Sequence, residues 1–220
     1  MGKISYSFSM TNPVMTKTVY DYLHIPISPE FMCANIEDFG NKYADRKNWL
    51  NLHFLNGGLK KKYRDEIDPA IIQMIRKTNA AIEYYEIGRS RVQLYLEQQG
   101  DARPSVKKLF DALDAWESFF LLINSIIDIY KNMMGKMDMQ IKAFNRKDGS
   151  KEQRAYDIGN CIKHFSELDL IELQKQNVYA PLWISNDGFE SVQFKISYNE
   201  THDLIQEIAE LIKIIVYRKA

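Results

Sequence analysis

The sequence predicts an all-α fold: a helical bundle built on a long helix pair, with a small β-hairpin before the C-terminal helix. Three observations predict it. An apolar stripe runs at steps of three or four from Val106 through Leu109, Leu113, Trp116, Phe120, Ile123, Ile127, Tyr130, Met134, Met137 and Ile141 to Phe144. That spacing keeps side chains on one helical face. Asp68-Pro69 and Arg103-Pro104-Ser105 read as helix starts, and Gly100 as a stop. Strand-like alternation is confined to Ile4, Tyr6, Phe8 and Met10 and to Val192, Phe194, Ile196 and Tyr198.

Taken in order, the alternating first ten residues predict a strand or an extended arm that docks on another surface. Pro13, Pro26 and Pro29 punctuate the next segment, with a short helical stretch around residues 17–23. Ser28-Pro29-Glu30 is a helix start, with Ser as the cap and Pro at the first helical position. The helix expected there carries Phe31, Met32, Ile36, Phe39 and Tyr43, with Trp49, Leu50, Leu52 and Phe54 beyond a Gly40 interruption. Asn56-Gly57-Gly58 ends this unit, which divides the chain into an N-terminal arm and helical extension, 1–58, and a helical domain, 59–220.

The next helix runs from Asp68 towards Gln99, with Ile71, Ile72, Ile75 and Ile82 on one face. The stripe helix, if continuous to Phe144, would span about 60 Å at 1.5 Å per residue. It is expected to be the spine of the domain or an oligomer seam, because so long a stripe implies a partner helix. A turn at residues 145–150 precedes a helix to about Gln174. Residues 182–185, the turn Asn186-Asp187-Gly188 and residues 189–197 form the hairpin. Asn199 caps the last helix, whose Leu204, Ile205, Ile208, Leu211, Ile212 and Ile215 make an amphipathic stripe.

Composition excludes more than it selects. Of 220 residues 45% are hydrophobic and 26% charged, which is ordinary for a globular chain and argues against disorder. Lys+Arg and Asp+Glu balance at 29 each, so any basic footprint for nucleic acid must be local. Cys33 and Cys161 are far apart and read as reduced thiols. The opening lacks the apolar core of an export signal, and the apolar run at 119–123 is cut by Asn124 and Asp128. A cytoplasmic protein with no membrane partner is expected. His24, His53 and His202 have no second ligand at metal spacing, and no glycine loop cradles phosphate, so no metal and no cofactor are expected. Lys60, Lys61, Lys62 and Arg64, interleaved with Tyr63, form a local basic patch suited to RNA phosphate.

Chemistry is hinted at in residues 154–168. On a helical wheel His164 falls about 40° and Asp157 about 60° from Asn160. Gln153, Asp157, Asn160, Lys163, His164 and Glu167 then form one polar face, opposite Ala155, Ile158, Ile162 and Phe165. Arg154 falls about 120° from Asn160, towards the buried side. Gly159 and Asn160 are poor mid-helix residues, which points to a close approach or a specific contact.

Asn160-Cys161-Ile162-Lys163-His164-Phe165, followed by a loop, a hairpin and a closing amphipathic helix, resembles HEPN domains over residues 69–220. Their signature is an arginine, usually followed by Asn, Asp or His, with a histidine after four to six intervening residues. In members that are metal-independent ribonucleases, two motifs meet across a dimer. The histidine there assists proton transfer involving the 2′-hydroxyl and the arginine steadies the phosphate. Here the arginine position is taken by Asp157, Ile158 or Gly159. Transition-state charge stabilisation, usually a large catalytic effect, then lacks its cation. Lys163 is a point charge and not a bidentate fork, and Arg89 or Arg91 would have to arrive from another helix. The resemblance therefore implies a homodimeric, non-catalytic module that binds RNA or a protein, in stress response or phage defence. The alternative it implies is a metal-independent endoribonuclease with His164, Asn160 and Lys163 at a dimer interface.

Overall fold

The computed structural model describes residues 36–39, 42–58, 67–97, 106–136, 144–145, 147–167 and 180–217. In chain order its elements are α1 (Trp49–His53), α2 (Asp68–Leu96), α3 (Val106–Lys136), α4 (Lys151–Lys163), the strands β1 (Trp183–Ile184), β2 (Gly188–Glu190) and β3 (Lys195–Ser197), and α5 (Tyr198–Tyr217). The fold is the all-helical one predicted, with two long packed helices and a small antiparallel sheet before the last helix. Among the described residues, no helix is long and apolar enough to cross a membrane.

The helices α2 and α3 pack antiparallel. Arg91 Nη1 donates to Asp111 O at 2.6 Å, Tyr85 meets Trp116 and Phe119 edge-on, and Met74 lies beside Ile126 and Ile127. Ile71, Ile75 and Ile82 are buried on α2, and Leu109, Leu113, Trp116, Phe120, Ile123, Ile127 and Met134 on α3. A buried aromatic or aliphatic side chain contributes roughly 1.5–3 kcal/mol. An exposed ion pair such as Lys107–Asp111 contributes at most about 1 kcal/mol. The stripe, not surface charge, holds the pair together. Its described members are covered within the chain by α2, α4 and the sheet, so they do not themselves call for a second copy.

Four readings of the sequence are corrected. First, α3 is described over Val106–Lys136, 31 residues and about 46 Å, and does not continue as helix to Phe144. Phe144 is not helical and precedes the Asn145–Asp148 turn, its ring 5.4 Å from that of Tyr156. Second, residues 36–39 are not helical. Side chains of α2 hold their backbone instead: Phe39 N donates to Glu86 Oε1 at 2.6 Å, and Arg89 Nε to Ile36 O at 2.8 Å. Phe39 and Tyr43 join the common core, with the Phe39 ring stacked on His202 at 4.5 Å.

Third, the hairpin is a three-stranded meander in the order β1-β2-β3, because a second turn closes where Ser191 N donates to Phe194 O at 2.8 Å. Phe189 sits opposite Ile184 and Ile196 and inserts against Trp116, Phe120 and Tyr198. Fourth, the cap of α5 is Ser197. Its Oγ accepts from Glu200 N at 3.2 Å while Glu200 Oε2 accepts from Ser197 N at 3.0 Å, a reciprocal capping box. The readings of residues 1–35, Met137 and Ile141 lie outside the described residues.

The helix α4 lies on α3 at close range. A Cβ built on Gly159 would stand 2.6 Å from Asn124 Cβ and 2.9 Å from Phe120 O. The close approach suggested by Gly159 and Asn160 is therefore the α3–α4 contact. Gly159→Ala is expected to destabilise by about 1–3 kcal/mol through overpacking, which a chain of this size shows as roughly 2–4 °C of Tm per kcal/mol. Gly135→Ala, where an added Cβ meets nothing within 4 Å, is expected to leave Tm unchanged or raise it. Equal melting temperatures for the two variants, read by circular dichroism, would contradict this packing.

Candidate functional site

The turn before α4 sets its first residues. Asp148 accepts from Asn145 N through Oδ2 at 2.6 Å and from Ser150 N through Oδ1 at 2.9 Å. Lys147 adopts a left-handed φ of 62°, uncommon outside glycine, and Gly149 follows at 72°. Ser150 then caps the helix, its Oγ accepting from Gln153 N at 3.2 Å. The buried Gln153 amide is held at both ends. Its Oε1 accepts from Gly149 N at 2.7 Å, and its Nε2 donates to Asp157 Oδ2 at 3.0 Å.

Between this turn, α4, the C-terminal end of α3 and the β2–β3 turn lies an open groove of about 860 Å³. Lys131, Lys147 and Arg154 bring positive charge to it, and Phe144, Tyr156 and Phe194 bring aromatic surface. The ammonium of Lys131 sits 3.9 Å from the Tyr156 ring centroid and 4.1 Å from that of Phe144, held by the two π-faces. Tyr156 OH donates to Asp128 Oδ1 at 2.9 Å. Burial first, and then that carboxylate, push the phenol above its ordinary pKa, so it stays a donor at neutral pH.

Arg154 is braced between α4, the sheet and α5. It donates to Gly149 O at 3.1 Å and Lys195 O at 2.9 Å, and forks onto the Glu200 carboxylate with Nη1 and Nη2. The Arg154 guanidinium first, helped by the Ser197 donors, holds the Glu200 carboxyl down to about 2. One carboxylate thus caps α5 and anchors the groove wall.

The structure separates the polar face read from the sequence. Gln153 and Asp157 line the groove. Asn160 turns to α3, its Oδ1 accepting from Asn124 Nδ2 at 3.0 Å. His164 lies past the end of α4 as its C-cap, with its ring exposed and Nδ1 3.0 Å from Glu167 Oε1. Lys163 is exposed on the last helical turn. The one-turn pairing of Asn160 and His164 is therefore a backbone contact, His164 N to Asn160 O at 3.0 Å, and not a shared side-chain site. Arg89 and Arg91 bond the carbonyls of Ile36 and Asp111. Lys60, Lys61, Lys62 and Arg64 lie outside the described residues. Among those residues, no group of three His, Cys, Asp or Glu could hold a metal ion.

Sequence reasoning missed Lys131, Lys147, Arg154, Tyr156 and Gln193 as site residues. The Ser197-x-x-Glu200 capping box was a readable signal for the acid that faces Arg154. Comparison with protein-family models, curated proteins and solved structures gives no match to any of them.

The Arg154–Glu200 pair has a pH signature. A carboxyl held near 2, below the 4.5 of a free glutamate, contributes stability above pH 4.5 and loses it as pH falls towards 2. Wild type is therefore expected to melt higher than Glu200→Gln at pH 6, with the gap closing between pH 4.5 and pH 2.5 in thermal melts. A gap that stays constant over this range would contradict the pairing.

Proposed function

We propose that this chain is a non-catalytic, HEPN-like helical module that binds single-stranded RNA in the groove between α3, α4 and the sheet. The observation that carries the reading is the convergence of Lys131 and Lys147 with the rings of Phe144, Tyr156 and Phe194, on a wall that Arg154 braces through Glu200. Cations that track phosphates beside rings that stack on bases are what a single strand needs, and its bases are free to splay onto such rings. The chain is neutral overall, so this local charge supplies the electrostatic attraction. A second copy is not required to complete the groove.

The ribonuclease alternative draws less support. The group facing His164 is the Glu167 carboxylate, where phosphodiester cleavage calls for a cation. Fluorescence anisotropy with a labelled single-stranded RNA of about ten nucleotides, in EDTA, tests both readings. Binding is expected to be salt-dependent, with the RNA recovered intact. Lys147→Glu should weaken binding and lower the salt slope by about 1 or more. No binding, or binding indifferent to Lys147→Glu, would contradict the proposal. Cleavage in EDTA that disappears in His164→Ala would establish the alternative in its place.

A further inference from the structure

Asp157 is, among the described residues, the one acid lining a groove otherwise charged by Lys131, Lys147 and Arg154. A carboxylate there repels phosphate, so its presence is not explained by attraction to the RNA backbone. Its geometry is fixed. Gln153 donates to Oδ2, and that amide is itself buried and pinned by Gly149 N–H. An ionised carboxylate accepts about four hydrogen bonds, and Gln153 takes one of them, on Oδ2. What is left is an ordered, acceptor-only group in the groove that Tyr156 also lines.

Resting on the RNA-binding reading above, we infer that Asp157 selects guanine. Guanine sets N1–H and N2–H side by side on its Watson–Crick edge, two donors matched to the two oxygens of one carboxylate. Adenine and cytosine place a ring-nitrogen acceptor beside their amino group, and uracil flanks its single N–H with two carbonyls. Each of those would turn a lone pair towards the Asp157 oxygens. A base entering the groove meets this carboxylate on the wall that Asp157 shares with Tyr156, and the order held by Gln153 favours bidentate recognition.

The test uses the full chain and hexamers of uridine with one central guanosine, inosine, adenosine or uridine, read by fluorescence anisotropy. The guanosine hexamer is expected to bind about tenfold tighter than the adenosine or all-uridine hexamer, at the lower end of what a bidentate base contact discriminates. Inosine, which lacks the N2 amino group, should fall between. Asp157→Asn keeps an oxygen for Gln153 to donate to, so the fold is retained. It should reduce the guanosine preference to near unity. Equal binding of all four hexamers by wild type overturns the guanine inference alone, as does a preference that survives Asp157→Asn. Failure of every hexamer to bind overturns the RNA-binding reading and this inference with it.

Discussion

The buried amide of Asn124 is the contact on which the rest of this structure depends. Its Nδ2 donates to Tyr156 O at 2.9 Å and to Asn160 Oδ1 at 3.0 Å, from the middle of the spine helix α3 into α4. Gly159, without a side chain, lets the two backbones come close enough for both bonds. A buried polar group left without its partner costs about 1–3 kcal/mol, so sliding α4 by one residue is disfavoured by hydrogen bonding as well as by sterics. With the register of α4 fixed, Tyr156 meets Asp128 and Lys131, Gln153 and Asp157 face the groove, and Arg154 reaches Glu200.

The fold was largely legible because its strongest signals are periodic. Steps of three and four from Leu109 to Met134 specify α3, and the stripe from Leu204 to Ile212 specifies α5. The same rule overran at Phe144, which keeps the spacing but packs from just before a turn. Residues 36–39 carry apolar side chains at helical spacing, but the carboxylate of Glu86 and the guanidinium of Arg89 take up backbone groups that a helix would have used internally. Local pattern cannot register competition from side chains some fifty positions away.

The site was less legible. Gly159 and Asn160 stood out as misfits in a helix, and the contact they implied exists, but it is structural and points to α3. His164 was placed on the face of a longer helix, whereas α4 stops at Lys163 and leaves the imidazole beside Glu167. Arg154 fell on the buried side of the wheel. Its long side chain runs out along that side and meets Glu200 at the edge of the sheet. The groove joins four segments from Lys131 to Phe194, so no local window of sequence contains it. Its rigidity has a local origin, in Asp148, Ser150 and Gln153, which hold the turn and the first helical turn with side-chain bonds to backbone.

The central claim is that ligand recognition sits in this groove and not around His164. Two-dimensional amide spectra of the ¹⁵N-labelled chain, titrated with a short single-stranded RNA, locate the contact directly. The predicted result is that the largest shifts fall on Lys147, Gly149, Arg154, Tyr156, Asp157 and Gln193, with Lys163, His164 and Glu167 unmoved. Shifts centred on His164 and Glu167, with the groove amides unchanged, would contradict it.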